Sequence, residues 1–145
     1  MGEYTQQQGY LEPTDKSSVA MFKRQLKGEV VMLNLLRFQD VADYRNFPAL
    51  KPQEPISGAA AYKKYMAHAG PILNRHGGEL VFVGDGGHFY IGPSDELWDL
   101  AMLVKYPSQQ VFIDFTSDPE YLAGIGHRSA ALADSRLLPL SPKMP

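Results

Sequence analysis

Four histidines, His68, His76, His88 and His127, carry the side chains of this chain whose ordinary pKa lies near neutrality. His68 shares a segment with Tyr62 and Tyr65 and is the candidate acid or base, with the Tyr65 hydroxyl as a second proton-handling group. His127 and Arg128 follow the glycines Gly124 and Gly126, a pairing that suits an anion at the mouth of a cavity. The plainer reading of that pair is a solvated helix start. Asn34 interrupts an apolar run, where a buried amide must find partners or cost about 1–3 kcal/mol. It is either a ligand-orienting group or an amide satisfied by nearby backbone. Trp98, the only tryptophan, is a ligand shelf or simply core. The candidate site therefore has His68 and Tyr65 as catalytic groups, with Asn34, Trp98, His127 and Arg128 as ligand-binding groups.

None of these residues falls in a known catalytic signature. No Gly-rich loop is followed by Lys, and neither a Gly-x-Ser-x-Gly elbow nor a His-Glu-x-x-His pair is present. His68 and His76 have Pro71 between them and lack the i, i+4 spacing of helical metal ligands, so no metal is expected. Gly84-Asp85-Gly86-Gly87 lacks the following helix that a phosphate cradle needs and reads as a hairpin turn. With 0 cysteines, thiolate nucleophiles, disulfides and cysteine-held clusters are excluded. The residues call for no cofactor. A net charge of −2 and a pI near 6.1 leave no electrostatic footprint for nucleic acid. The longest apolar run, Val30 to Leu36, is too short to cross a bilayer, and Met1 to Ala20 carries no signal-peptide pattern. A cytoplasmic protein without membrane attachment is expected.

The 145 residues are enough for one core. Residues 1–28 read as a tail, loose up to residue 13, and a short helix. Thr14 or Asp15 caps that helix, which runs to Leu26 with Val19 and Phe22 on one side. The main domain spans 29–140, with an inserted loop at 39–57 that is either a surface connection or a lid, and 141–145 is a tail. Glu29 to Phe38 is a strand apolar on both sides. Ser57 caps a helix from Gly58 to about His76. Glu79 to Val83 is a strand, followed after the glycines by an extended His88 to Ile91. Leu97 to Tyr106 is another doubly apolar strand. Ser108 opens a helix that Asp118 and Pro119 restart, His127 to Ala133 is helical again, and Arg136 to Leu140 is the last strand.

The order β-α-β-β-α-β is the α+β, ferredoxin-like arrangement: a four-stranded antiparallel sheet with helices on one face, here with an extra N-terminal helix. Two strands are nevertheless apolar on both faces. The second face needs a cover. A second copy of the chain is the simplest, and the N-terminal helix and inserted loop folding back are the alternative.

The segments VVMLNLLRF, AYKKYMAHAGPILNRHGGELVFVG and LVKYPSQQVFIDFTSDPEYLAGIGHRSAALADSRLLPL resemble the family of domain of unknown function 1330. The resemblance rests on His76-Gly77-Gly78, Tyr106-Pro107-Ser108, Ser117 to Tyr121, and the stretch from Arg128 to Arg136. It implies a dimeric α/β barrel, in which the sheets of two protomers face each other. That superfamily holds small monooxygenases, isomerases and haem enzymes, and the family itself carries no established reaction. Two readings stay open. One is a homodimer with a small-molecule pocket between the sheet and the helix 58–76, oxidative or isomerising. The other is a non-catalytic dimeric binding or structural protein.

Overall fold

A computed structural model describes residues 9–144. Helix α1, Asp15–Lys23, begins with a capping box: Thr14 accepts from the Ser17 amide at 3.0 Å, and the Ser17 hydroxyl accepts from the Thr14 amide at 2.9 Å. It stops short of Leu26, and Val19 and Phe22 are exposed. Strand β1, Val30–Phe38, leads into the inserted loop, whose one regular piece is a 3-10 turn at Pro48–Leu50. Helix α2, Gly58–Arg75, is capped by the Ser57 hydroxyl, which accepts from Ala60 at 3.0 Å, and it continues through Pro71. Strands β2, Glu79–His88, and β3, Leu97–Tyr106, form a hairpin. Helix α3, Gln109–Thr116, is capped by Ser108, and α4, Pro119–Ala123, by Asp118. Helix α5, Ile125–Ala131, runs directly into β4, Leu132–Leu140.

The sheet is antiparallel with the order β2-β3-β1-β4, so the two doubly apolar strands are central. Three further boundaries differ from the sequence reading. Gly84 to Gly87 is not a turn: Gly84 pairs with Ala101 and Gly87 with Trp98 inside a continuous β2. The reason is close approach, since a Cβ at Gly86 would overlap the Trp98 carbonyl. The connection instead falls at 89–96. Strand β4 starts at Leu132 rather than Arg136, because β1 pairs with it as far back as Phe38 through a register shift. Helix α5 is correspondingly displaced toward the N-terminus.

One sheet face is covered. Val30, Met32 and Leu36 pack with Met102, Val104 and Tyr106 beneath Tyr62, Tyr65, Ala69 and Ile72 of α2 and Phe115 of α3. Leu11, Met21 and Leu26 from the N-terminal segment join this same cluster, as do Ala42, Phe47, Leu50 and Ile56 from the loop. Neither addition closes the other face. Strand alternation puts Val31, Leu33 and Leu35 there, with partners Leu103 and Ala101 on β3 and Leu140 and Leu138 on β4. On the flanking strands, Phe82 remains 55% and Leu138 51% exposed.

The start of the described chain is held, not loose. The Tyr10 amide donates to Asp134 Oδ1 at 2.8 Å, the Ser135 hydroxyl donates to the Tyr10 carbonyl, and Arg128 Nη1 donates to the Leu11 carbonyl at 2.8 Å. The rest of the tail expected to be loose, residues 1–8, lies outside the described residues. The inserted loop is likewise tied to α5: Gln39 and Asp43 donate to the carbonyls of Ala131 and Ala130 at 2.8 and 2.9 Å.

Candidate functional site

The tie between loop and α5 brings Tyr44 onto His127. The Tyr44 hydroxyl and His127 Nδ1 are 2.7 Å apart, with the rings edge-on at 81°. Burial holds the His127 pKa below its ordinary 6.5, and the charges of Lys64 and His68 on α2 push the same way. Burial also raises the Tyr44 phenol. At neutral pH the pair is thus an uncharged imidazole against an uncharged phenol. With its proton on Nδ1, His127 donates to the Tyr44 oxygen and presents Nε2 as a free acceptor. That is the geometry of an oriented general base. Tyr44 also lines an open groove of about 410 Å³ enclosed by the inserted loop, beside Pro48, Lys51 and Ile56.

Next to this pair lies a block of tyrosines. The hydroxyls of Tyr65 and Tyr121 are 2.9 Å apart, and the Tyr62 ring stands 5.2 Å from that of Tyr65. Burial drives the pKa of Tyr62 and Tyr65 up, and the Arg128 charge opposes the rise at both. His68 Nε2 donates to the Glu120 carbonyl at 2.7 Å. Its ring rests on Gly124, where any Cβ would overlap it. Tyr65, His68, His127 and Arg128 are therefore gathered where α2 meets α4 and α5.

Two of the expected residues are engaged elsewhere. The Asn34 amide donates to the carbonyl of Met32 on its own strand at 3.2 Å. Trp98 is buried outside the main core cluster. Its Nε1 donates to Glu96 at 2.8 Å, and the guanidinium groups of Arg136 and Arg37 lie 4.9 and 5.9 Å from its ring. The space expected to hold a pocket, between sheet and α2, is occupied by Met32, Met102, Tyr65 and Ile72.

Sequence reasoning missed Tyr44 and Tyr121. Tyr44 sits in an aperiodic loop, and its partner is 83 residues away, so nothing local marks it. Two ionic clusters were also invisible. His76 Nε2 donates to Asp118 at 2.8 Å, and Arg75 approaches the same carboxylate at 3.5 Å. The His76 bond, followed by the Glu120 amide, holds the Asp118 carboxyl below its usual range. At Asp134 burial alone would raise the pKa. Bonds from the Tyr10 amide, Arg136 and the Ser135 amide outweigh it and leave the carboxyl low. Among the described residues no three His, Asp or Glu side chains are placed to share a metal ion, and no helix is long and apolar enough to cross a membrane.

Comparison with known proteins gives one family and several solved structures. The sequence profile of a family described as domain of unknown function (DUF1330) matches residues 53–138. A crystal structure of the RPA0582 protein of Rhodopseudomonas palustris, of unknown function, is similar at 36% identity with a TM-score of 0.81, covering 94% of this chain and 99% of that one. The methylated form of RPA0582 is similar at the same identity with a TM-score of 0.82, covering 94% of this chain and 97% of that one. A dimeric ferredoxin-like protein of unknown function from Bacteroides fragilis is 12% identical, with a TM-score of 0.49 over 81% of this chain and 99% of that one. No curated protein matches the chain.

Proposed function

The chain belongs to the family of domain of unknown function 1330, and on that premise we propose that it is a homodimer performing proton-transfer chemistry, isomerising in outcome, on a small organic molecule at His127. The carrying observation is the 2.7 Å contact of Tyr44 with His127 beside the groove in the inserted loop. An uncharged imidazole is the form that accepts a proton. His127 Nε2 takes the proton from a carbon next to a carbonyl and returns it to another position of the same skeleton. Tyr44 holds the ring plane, and the tautomer with its proton on Nδ1 leaves Nε2 as the base. Arg128, the next residue on the same helix, supplies the positive charge for the developing enolate oxygen.

The homodimer is supported by the uncovered apolar face. Exposed Phe82 and Leu138 flank central leucines that nothing in the described chain covers. Burial of that face against a second copy removes it from water.

Thermal-shift screening with small ketones, phenols and carboxylates tests the site. A compound held by the native state raises the unfolding midpoint by mass action. The expected result is at least one compound that shifts the parent protein and not His127→Gln. A panel without any such difference removes the reading. The non-catalytic alternative is favoured by one observation, the filled space between sheet and α2.

A further inference from the structure

An open groove of about 980 Å³ lies between the N-terminal arm, residues 9–14, and the start of the inserted loop. It adjoins the groove beside Tyr44 at Asp43, which lines both. Its floor is Ser129, Leu132 and Ala133, at the passage from α5 into β4. Its volume is at the upper end of small-molecule sites, which run to roughly 1,000 Å³.

The lining carries no basic side chain of its own, and guanidinium groups border it at Asp43, Tyr10 and Leu11. It contains the carboxylates of Glu12 and Asp43, the amides of Gln39 and Asn46, and the rings of Tyr10 and Phe47, with no Lys, Arg or His. Arg45 occupies both oxygens of Asp43, at 2.9 and 2.7 Å. Glu12, Gln39 and Asn46 are different. None of their side chains makes a hydrogen bond or ion pair with another described residue, so polar atoms on both walls of the groove are unused. The Tyr10 ring already carries a guanidinium, that of Arg136, at 4.9 Å.

Both walls lie before residue 53, outside the segment that matches the family, while the floor lies within it. The arm that forms one wall is fixed by side chains that grip its backbone: Asp134 and Ser135 at Tyr10, and Arg128 at Leu11. The groove is thus a built feature whose walls are additions to the family's core. It also does not depend on the His127 pair.

We propose that this groove is a second binding site, for a small organic cation: an ammonium or guanidinium compound with further hydrogen-bonding groups. Its positive end meets Glu12, its donors meet Gln39 and Asn46, and its carbon skeleton lies along Phe47. Carboxylates and aromatic faces attract cations, and Glu12, the carboxylate here without an ion-pair partner among the described residues, disfavours an anion.

Isothermal titration calorimetry of the full chain with agmatine, spermidine and glucosamine tests this, with glutarate as the anionic control. At least one of the three cations is expected to bind saturably, and glutarate is not. Glu12→Gln, at an exposed position, is expected to weaken that cation about tenfold, the size of one lost charge-assisted contact. Asn46→Leu supplies a second, uncharged lesion with an expected loss of similar direction. His127→Gln is expected to leave the affinity unchanged, which separates this site from the proposed acid–base pair. Three silent cations, equal binding of glutarate, or a cation indifferent to both groove substitutions would each overturn the proposal.

Discussion

Tyr65 offers the sharpest test of how this interior is held. Its hydroxyl contacts that of Tyr121 at 2.9 Å, and the two residues are 8% and 5% exposed. Tyr65→Phe removes one hydroxyl and leaves the Tyr121 hydroxyl buried without its partner, at a cost of about 1–3 kcal/mol. Tyr121→Phe creates the mirror defect at a similar cost. The double substitution removes both polar groups and leaves no orphan, so it should cost clearly less than the sum, with a coupling of about 1–2 kcal/mol. For a chain of this size each single change lowers the thermal midpoint by about 3–8 °C. Denaturant unfolding followed by circular dichroism, at one fixed protein concentration, measures all three. Strictly additive losses, or no loss in the single variants, would refute the account of a dry hydroxyl pair. Loss of a ligand response in Tyr65→Phe at unchanged stability would instead make Tyr65 a chemical group.

Four further outcomes are expected. The folded His127 pKa lies below the ordinary 6.5, so the unfolded chain takes up the proton first as pH falls. Stability should therefore drop as pH goes from 6.5 through the depressed folded value, and His127→Gln should remove that slope in midpoint-versus-pH scans. Asp134 acts in a separate window, contributing stability above 3.8 that is lost as pH falls through its lower folded value. Leu33→Glu and Leu138→Glu place charge on the uncovered face and should give monomers by light scattering with helical content unchanged; dimers in both variants would count against that face as the interface. His76→Gln weakens the contact with Asp118, and amide exchange should quicken selectively over α4 (119–123).

Local chemistry made much of this fold legible. Ser57, Ser108 and Asp118 each stand where a helix begins, because their side chains satisfy amides that a helix cannot. The doubly apolar patterns of β1 and β3 marked the central strands, which pair along both edges and carry apolar side chains toward both sides of the sheet. The glycine run of β2 misled. Glycines are the usual turn signal, and here they serve a close backbone approach that only β3 reveals. The site was less legible for the same reason. His68, His127, Arg128 and Tyr65 were visible as residue types, but their company depends on how α2 packs against α4 and α5. Tyr44 was hidden because a loop position has no periodicity, and its meaning comes from a partner far along the chain. Asn34 and Trp98 show the converse: a conspicuous residue type whose partners turn out to be its own strand or nearby charges.

The surroundings of Trp98 make the molecule self-reporting. One indole, shielded from solvent, is contacted by guanidinium groups from β1 and β4 and is bonded through nitrogen to Glu96. Arg136 simultaneously touches Tyr10 of the arm. Movement of the arm, or a change at the ends of those strands, alters the electric field across a single fluorophore. Emission wavelength and quenching by iodide therefore follow the N-terminal strap and the neighbouring sheet end in real time, without a label and without competing signal from any other tryptophan.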